Sequence, residues 1–334
     1  MGIAHDSRAA VKKLRFLIYT PKSDVNSFRG RIEEAFACPV LPNHVECSEH
    51  NYGGVVCDVL APEIYSSKRV MMYIHGGSFV GGSRASWRGF CARIANKSYS
   101  RVVVPEFRLA PAYPFPAAIE DVQSVFRALF TEEQIACSLD SASGDKSSMP
   151  DIIIAADGSG ASIAMALLFN LRERYRSCIS RVVLLSPWLD MSDDSHLADG
   201  KKYGDEILSS ESLCRCGEVY TYVSNLANPL VSPLKSAQEL LSGFPPVYIQ
   251  MGEKEILLAD VKKFTQLLDS AEVACELDVW PGMMHTFQLS DDCLWETHLA
   301  IEKIGQIVSG SNRADVQVCF DNKPRLENSI KSDA

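Results

Sequence analysis

From Arg69 onward, short apolar segments alternate with longer segments of helical period. The strand candidates are Val70–Ile74, Arg101–Pro105, Ile152–Ala156, Arg181–Leu185, Val247–Met251 and Cys275–Trp280, preceded by a hairpin candidate at His44–Cys47 and Val55–Leu60. The helix candidates are Ser27–Phe36, Trp87–Asn96, Ala117–Phe130, Ala161–Tyr175, Leu257–Leu268 and Leu294–Ile307. Apolar strands that alternate with helices require a parallel sheet covered on both faces. The sequence therefore predicts an α/β fold with a mostly parallel, twisted sheet and helices on both sides.

The segments outside this alternation predict how the rest of the chain is organised. Residues 1–44 are expected to form an N-terminal cap segment, followed by a core at 45–309. Within the core, residues 188–244 are expected to form a cap insertion, and Ser138–Pro150 is predicted to be a loop. The polar tail at 310–334 is predicted to be mobile.

Charge and composition limit the partners of this chain. The formal net charge of −9 disfavours nonspecific binding to nucleic acid or to an acidic membrane. We expect no membrane span, because no run of about 18 apolar residues occurs. We also expect no signal peptide, because the first residues lack its apolar region. The seven histidines lack metal-ligand spacing, and the eleven cysteines are scattered without a CxxC pair. These features favour a cytoplasmic protein with reduced cysteines and with no metal ion or cofactor.

The segment Ala156-Asp157-Gly158-Ser159-Gly160 joins a predicted strand to a predicted helix. Strand, sharp turn and helix is the context of the nucleophile elbow of serine hydrolases, and Gly158 occupies the position of the nucleophile. Glycine has no atom with which to form an acyl-enzyme. Ser159 is a candidate substitute, although it would need a one-residue slip, because the residue after the nucleophile supplies its backbone N–H instead. Ser162 lies about one turn into the helix and fits this role less well.

Two glycines follow the strand candidate that ends at Ile74. In His75-Gly76-Gly77-Ser78-Phe79, they allow a sharp backbone turn that directs N–H groups at a nearby oxygen. A glycine turn after a strand also occurs without any function. Together with a downstream elbow, the pattern favours an oxyanion hole formed by Gly76, Gly77 and Ser159.

A histidine and an acidic residue follow the last two strand candidates. His285 lies in a glycine-containing loop after Cys275–Trp280 and is a candidate general base. Glu255 follows the preceding strand candidate and is a candidate for the acid that orients the imidazole; Glu253 and Asp260 are weaker candidates. The order of elbow, acid and histidine along the chain is that of the α/β-hydrolases.

The chain resembles the hormone-sensitive lipase family of α/β-hydrolases from about Arg69 to Ile307. The resemblance depends on Tyr73-Ile74-His75-Gly76-Gly77, Phe107-Arg108-Leu109-Ala110-Pro111, Pro114-Phe115-Pro116-Ala117-Ala118, Ser186-Pro187-Trp188 and the Pro281 to Phe287 loop. It implies an α/β-hydrolase fold with a helical cap and an ester hydrolase with a catalytic serine, an acidic residue and a histidine. Family members read Gly-Asp-Ser-Ala-Gly at the elbow, whereas this chain carries Gly158 in place of the serine.

Two functions remain open from the sequence. The first is hydrolysis of small carboxylic esters, as the resemblance implies, with Ser159 or a water activated by His285 in place of the serine. The second is a catalytically inactive hydrolase-fold protein that binds a small apolar acid or ester. Family members often dimerise through the last strand and helix, so a homodimer is a further expectation from the resemblance.

Overall fold

The computed structural model describes residues 6–37, 40–63, 69–142, 149–192 and 204–310. These residues form an eight-stranded sheet in the order β1-β2-β4-β3-β5-β6-β7-β8. Its strands are β1 Val45–Tyr52, β2 Val55–Pro62, β3 Val70–Ile74, β4 Arg101–Pro105, β5 Ile152–Asp157, β6 Ile179–Leu185, β7 Val247–Gly252 and β8 Cys275–Trp280. The β1–β2 and β2–β4 pairs are antiparallel, and every other pair is parallel. The predicted α/β fold with a mostly parallel sheet is confirmed.

Helices pack against the sheet in two groups. The helices are α1 Ser7–Leu14, α2 Val25–Phe36, α3 Arg84–Ser98, α4 Ala117–Ala142, α5 Gly160–Asn170, α6 Glu173–Arg176, α7 Ser210–Tyr220, α8 Gln238–Leu241, α9 Leu258–Ser270 and α10 Trp295–Ser309. Helix α3 packs against α10, and α4 packs against α5. Every residue of β3 and of β5 is buried, as expected for central strands with helices on both faces. None of the described helices has both the length and the apolar character that crossing a membrane requires.

Two predicted helices differ from the structure by more than three residues at one end. The predicted loop Ser138–Pro150 is wrong at its start, because α4 continues to Ala142. Neither glycine nor proline interrupts the chain before that residue, so the helix extends beyond its apolar face. The predicted helix Ala161–Tyr175 is wrong as one element, because Leu171 leaves the helical conformation and is buried in an extended one. The predicted mobile tail beyond Gly310 lies outside the described residues.

The N-terminal segment packs on the edge of the sheet where the parallel strands end. Phe28 and Ile32 of α2 are fully buried. Both contact Gly81, where an added Cβ would lie 2.7 Å from Phe28 and 2.8 Å from Ile32. Glycine at this position therefore allows the close approach of α2 to the loop after β3. The segment between β6 and β7 contributes α7.

Candidate active site

The turn between β5 and α5 places Gly158 at the carboxyl edge of the sheet. Its φ is +47°, a conformation that glycine adopts without the clash a Cβ brings. An ideal Cβ on Gly158 would lie 3.9 Å from Nε2 of His285, with no other described atom within 4 Å apart from chain neighbours. A serine hydroxyl at this position would therefore come within hydrogen-bond reach of the imidazole.

His285 and Glu255 form a buried pair next to that position. Nδ1 of His285 lies 2.9 Å from Oε2 of Glu255, and both side chains are buried. The other carboxylate oxygen accepts a hydrogen bond of 2.7 Å from the Ser186 hydroxyl and one from the Gly252 N–H. Ser186 in turn accepts the N–H of Thr286 at 3.0 Å. The carboxylate thus fixes the orientation of the ring and leaves Nε2 directed toward Gly158.

Neighbouring carboxylates favour the protonated form of His285. Burial lowers the pKa of the imidazole, but the hydrogen bond to Glu255 and its charge outweigh burial. The charges of Asp205 and Asp157 act in the same direction, so the pKa lies above its ordinary value of 6.5. Such a histidine is a stronger base than one in water, and it is neutral only at higher pH.

Two side chains of the elbow hold the loop that follows β3. Oδ1 of Asp157 accepts the N–H of Gly76 at 3.0 Å, and Oγ of Ser159 accepts the N–H of Phe79 at 3.1 Å. Between these two bonds lie Gly77 and Ser78, whose N–H groups donate to no acceptor in the described part of the chain. The available oxyanion donors are therefore the N–H groups of Gly77, Ser78 and Ser159, whereas the Gly76 N–H is already used.

Asp157 also connects this loop to the core of the protein. The same oxygen, Oδ1, accepts the Tyr73 hydroxyl at 2.9 Å and Nε1 of Trp87 at 2.8 Å. Burial raises the pKa of Asp157 to about 6, although these donors lower it. Next to it, burial lowers the pKa of His75 to about 4, and the ring packs against Phe107 with centroids 4.3 Å apart. His75 is therefore a neutral packing residue and not a second base.

The other sequence candidates bind groups other than the imidazole. Ser159 is buried with its hydroxyl directed at the Phe79 N–H, as described above. The Ser162 hydroxyl donates to the carbonyl oxygen of Trp188. Glu253 is exposed and accepts the N–H of Gly282 at 2.9 Å. Asp260 pairs with Lys263 at 3.0 Å on α9. Among the acidic candidates, it is Glu255 that contacts His285.

A small cavity lies between Gly158 and the N-terminal segment. Its volume is about 30 Å³, which holds about two or three water molecules, since a water needs roughly 10–15 Å³ of such space. Polar groups of Ser78, Ser159, Ser212 and His285 line it on one side. Its apolar lining comes from Leu17, Ile18, Trp188, Leu208, Leu213, Cys216 and Leu257. Within the described ranges, no group of three or more His, Cys, Asp or Glu side chains is arranged to hold a metal ion.

Sequence reasoning did not identify Ser186 or Asp157 as supporting residues. Ser186 binds the carboxylate of Glu255 and the backbone next to His285, so it connects the loops after β6, β7 and β8. The Ser186-Pro187-Trp188 motif was recognised, but only the fold reveals what its hydroxyl contacts. A φ of +45° at Ser186 marks a residue held in place by its surroundings.

Comparisons with known proteins agree with this arrangement. The residue pattern of the alpha/beta hydrolase fold family matches residues 71–289. The chain is 30% identical to an esterase from Acinetobacter venetianus, over 73% of this chain and 76% of that protein. It is also 30% identical to an acetyl-hydrolase from Streptomyces hygroscopicus, over 71% of this chain and 74% of that protein.

Solved structures show the same likeness over nearly the whole chain. An esterase from the bacterial hormone-sensitive lipase family superposes with a TM-score of 0.78 and 28% identity, covering 93% of this chain and 99% of that one. A hormone-sensitive lipase from a metagenome library gives a TM-score of 0.75 and 27% identity over 91% and 98% of the two chains. The chain therefore belongs to the α/β-hydrolase family, among the esterases that resemble hormone-sensitive lipase.

Proposed function

We propose that this protein hydrolyses small carboxylic esters with a water molecule in place of the catalytic serine. The observation that carries the proposal is the position of His285, whose Nε2 lies 3.9 Å from where a Cβ on Gly158 would be. On the other side of the ring, Nδ1 lies 2.9 Å from the Glu255 carboxylate. A base in this orientation, next to a cavity of water size, fits the activation of water.

The reaction follows from these groups in two steps. Nε2 of His285 accepts a proton from water as the oxygen attacks the ester carbonyl, and the negative charge forms on the former carbonyl oxygen. The N–H groups of Gly77, Ser78 and Ser159 stabilise that charge. The tetrahedral intermediate then collapses, and the protonated imidazole gives its proton to the leaving alkoxide. The products are a carboxylic acid and an alcohol, and no acyl-enzyme forms.

The rate is expected to be low. Removing the serine from an intact triad costs on the order of 10⁶ in turnover, and roughly 10³ to 10⁴ over water remains from the oxyanion hole and binding. We call residues 76–79 the oxyanion loop. Ser159 does not offer a faster route, because its hydroxyl accepts the Phe79 N–H of this loop. One observation favours binding without turnover as a second function: Gly158 carries no nucleophile.

The test is hydrolysis of p-nitrophenyl acetate by the wild-type chain, His285→Gln and Ser159→Ala. His50→Gln is the matched control, because His50 is exposed on β1. This strand lies at the opposite edge of the sheet from β8, which precedes His285. We expect slow hydrolysis without a burst, unchanged by His50→Gln and lowered about 100-fold by His285→Gln, which removes the base but leaves the oxyanion hole. Fluorophosphonate should not label the wild-type chain, since no serine is activated.

Two results would contradict the proposal. A wild-type rate equal to that of buffer would leave ligand binding without turnover as the function. A thermal shift with acetate or butyrate then measures that binding. Loss of activity and of fluorophosphonate labelling in Ser159→Ala would show instead that Ser159 acts as the nucleophile.

A further inference from the structure

The Ser78 hydroxyl joins the oxyanion loop to the N-terminal segment. It donates to the carbonyl oxygen of Leu17 at 3.0 Å and accepts the N–H of Tyr19 at 3.1 Å. We call residues 15–19 the strap. The same side chain thus makes two hydrogen bonds to the strap, while its backbone N–H belongs to the oxyanion hole described above.

The backbone conformation of Ser78 shows that its side chain has a specific task. Its φ is +60°, in the left-handed region where a residue with a Cβ is less stable than glycine. Glycine would relieve this strain, but it would lose both bonds to the strap. A serine at this position is therefore explained by its hydroxyl and not by the turn.

The strap forms one wall of the catalytic cavity. Leu17 and Ile18 line that cavity and are buried. The strap also touches the segment between β6 and β7, where Sγ of Cys216 lies 3.5 Å from the carbonyl oxygen of Tyr19. With the strap in this position the cavity has a volume of about 30 Å³. An acyl chain that extends from the elbow toward the strap meets the side chains of Leu17 and Ile18.

We propose that Ser78 is a specificity-determining residue: its hydroxyl latches the strap across the pocket and so restricts the site to short acyl chains. The proposal rests on the ester hydrolysis inferred above. The Ser78 side chain connects the strap to the oxyanion loop. An acyl chain that displaces Leu17 must therefore break both hydrogen bonds of the Ser78 hydroxyl.

The kinetic test uses Gly158→Ser as background, in which turnover is fast enough to compare substrates. The readout is kcat/KM for p-nitrophenyl octanoate relative to acetate, because a change in the oxyanion hole affects both esters and cancels. Ser78→Ala and Ser78→Gly both remove the latch, whereas only Ser78→Gly relieves the strain. We expect both to raise the ratio by about tenfold, as the loss of two ordinary hydrogen bonds allows.

Ser23→Ala is the matched control for this comparison. Its hydroxyl accepts the N–H of Thr20 at 3.2 Å just after the strap and makes no bond to the oxyanion loop. It should leave the octanoate ratio unchanged. A ratio that rises in Ser78→Gly alone, or in none of the variants, would overturn the proposal.

Hydrogen exchange tests the latch without any turnover. The Tyr19 amide donates to Ser78, so peptides that cover residues 15–20 should exchange faster in both Ser78 variants of the wild-type chain. Unchanged exchange would overturn the latch. If Gly158→Ser hydrolyses neither ester, the proposed function fails, and calorimetric binding of octanoate relative to acetate then decides the specificity in the same variants. Binding in which Ser78→Ala and Ser78→Gly do not favour octanoate would contradict the proposal.

Discussion

At the scale of single residues, Asp157 shows how burial and hydrogen bonding act against each other. Burial raises its pKa from an ordinary 3.8 to about 6, even though three donors converge on Oδ1. Between these two pH values the folded protein retains a proton that the unfolded chain has lost. The free energy of unfolding therefore falls as pH rises through this window.

Asp157→Asn should remove this pH dependence. The asparagine oxygen can accept the same three donors, but it carries no charge to bury. We expect the free energy of unfolding of the wild-type chain, relative to the variant, to fall by about 2–3 kcal/mol between pH 4 and pH 6. Urea denaturation of both proteins across that range measures the difference. Parallel curves would mean that Asp157 keeps its ordinary pKa in the folded state.

Single residues also mark the limit of what the sequence predicts. His285, Glu255 and Gly158 could be proposed because their order along the chain and their places after strands are visible in the sequence. The direction of the Ser159 hydroxyl could not, since it depends on how close α5 lies to the loop after β3. The use of the Gly76 N–H by Asp157 depends on the same contact, and it shifts the available donors to Gly77 and Ser78.

At the scale of elements, the site depends on the contact between β3 and the start of α5. Gly160 is the first residue of that helix, and an ideal Cβ there would lie 2.2 Å from the carbonyl oxygen of Ile74 and 2.5 Å from that of His75. The elbow and the oxyanion loop therefore approach each other as closely as their backbones allow. This contact places Ser159 and Asp157 within reach of Phe79 and Gly76.

Gly160→Ala should destabilise the protein by about 1–3 kcal/mol, because its Cβ meets backbone that cannot move independently. Gly30→Ala is the control: this glycine lies inside α2 with no atom within 4 Å of an added Cβ. It should stabilise the protein by up to about 1 kcal/mol through helix propensity. Urea denaturation of the two variants measures both changes. Equal effects of the two substitutions would show that the β3–α5 contact is not tight.

Elements were predicted better by position than by length. β8 has the predicted limits Cys275–Trp280, because alternating apolar and acidic residues between turns are typical of a half-buried strand. Helix α4 extends twelve residues beyond the predicted Phe130, to Ala142, since its last turns lack the apolar periodicity from which a helix is predicted. Helix ends depend on local caps and tertiary contacts that periodicity does not contain.

At the scale of the whole molecule, one core connects the sheet, the N-terminal segment and the segment between β6 and β7. The buried cluster includes Leu14 and Phe28 before β1, Ile154 and Leu184 in the sheet and Leu213 in α7. Long-range pairs across this core, such as Ser78 with Leu17 and Ser186 with Glu255, assemble the site. These pairs are separated by 61 and 69 residues in the chain, which is why motifs alone did not reveal them.

Ester hydrolysis at this site requires that Gly158 faces a working His285–Glu255 pair and oxyanion hole. Gly158→Ser tests this most directly, with the initial rate of p-nitrophenyl acetate hydrolysis and fluorophosphonate labelling measured on the same preparation. We predict that the variant is labelled at residue 158 and that its rate exceeds that of the wild-type chain by about 10³-fold or more. A folded variant that is neither labelled nor faster would contradict the proposed function, because His285 and Glu255 would then not be arranged for catalysis.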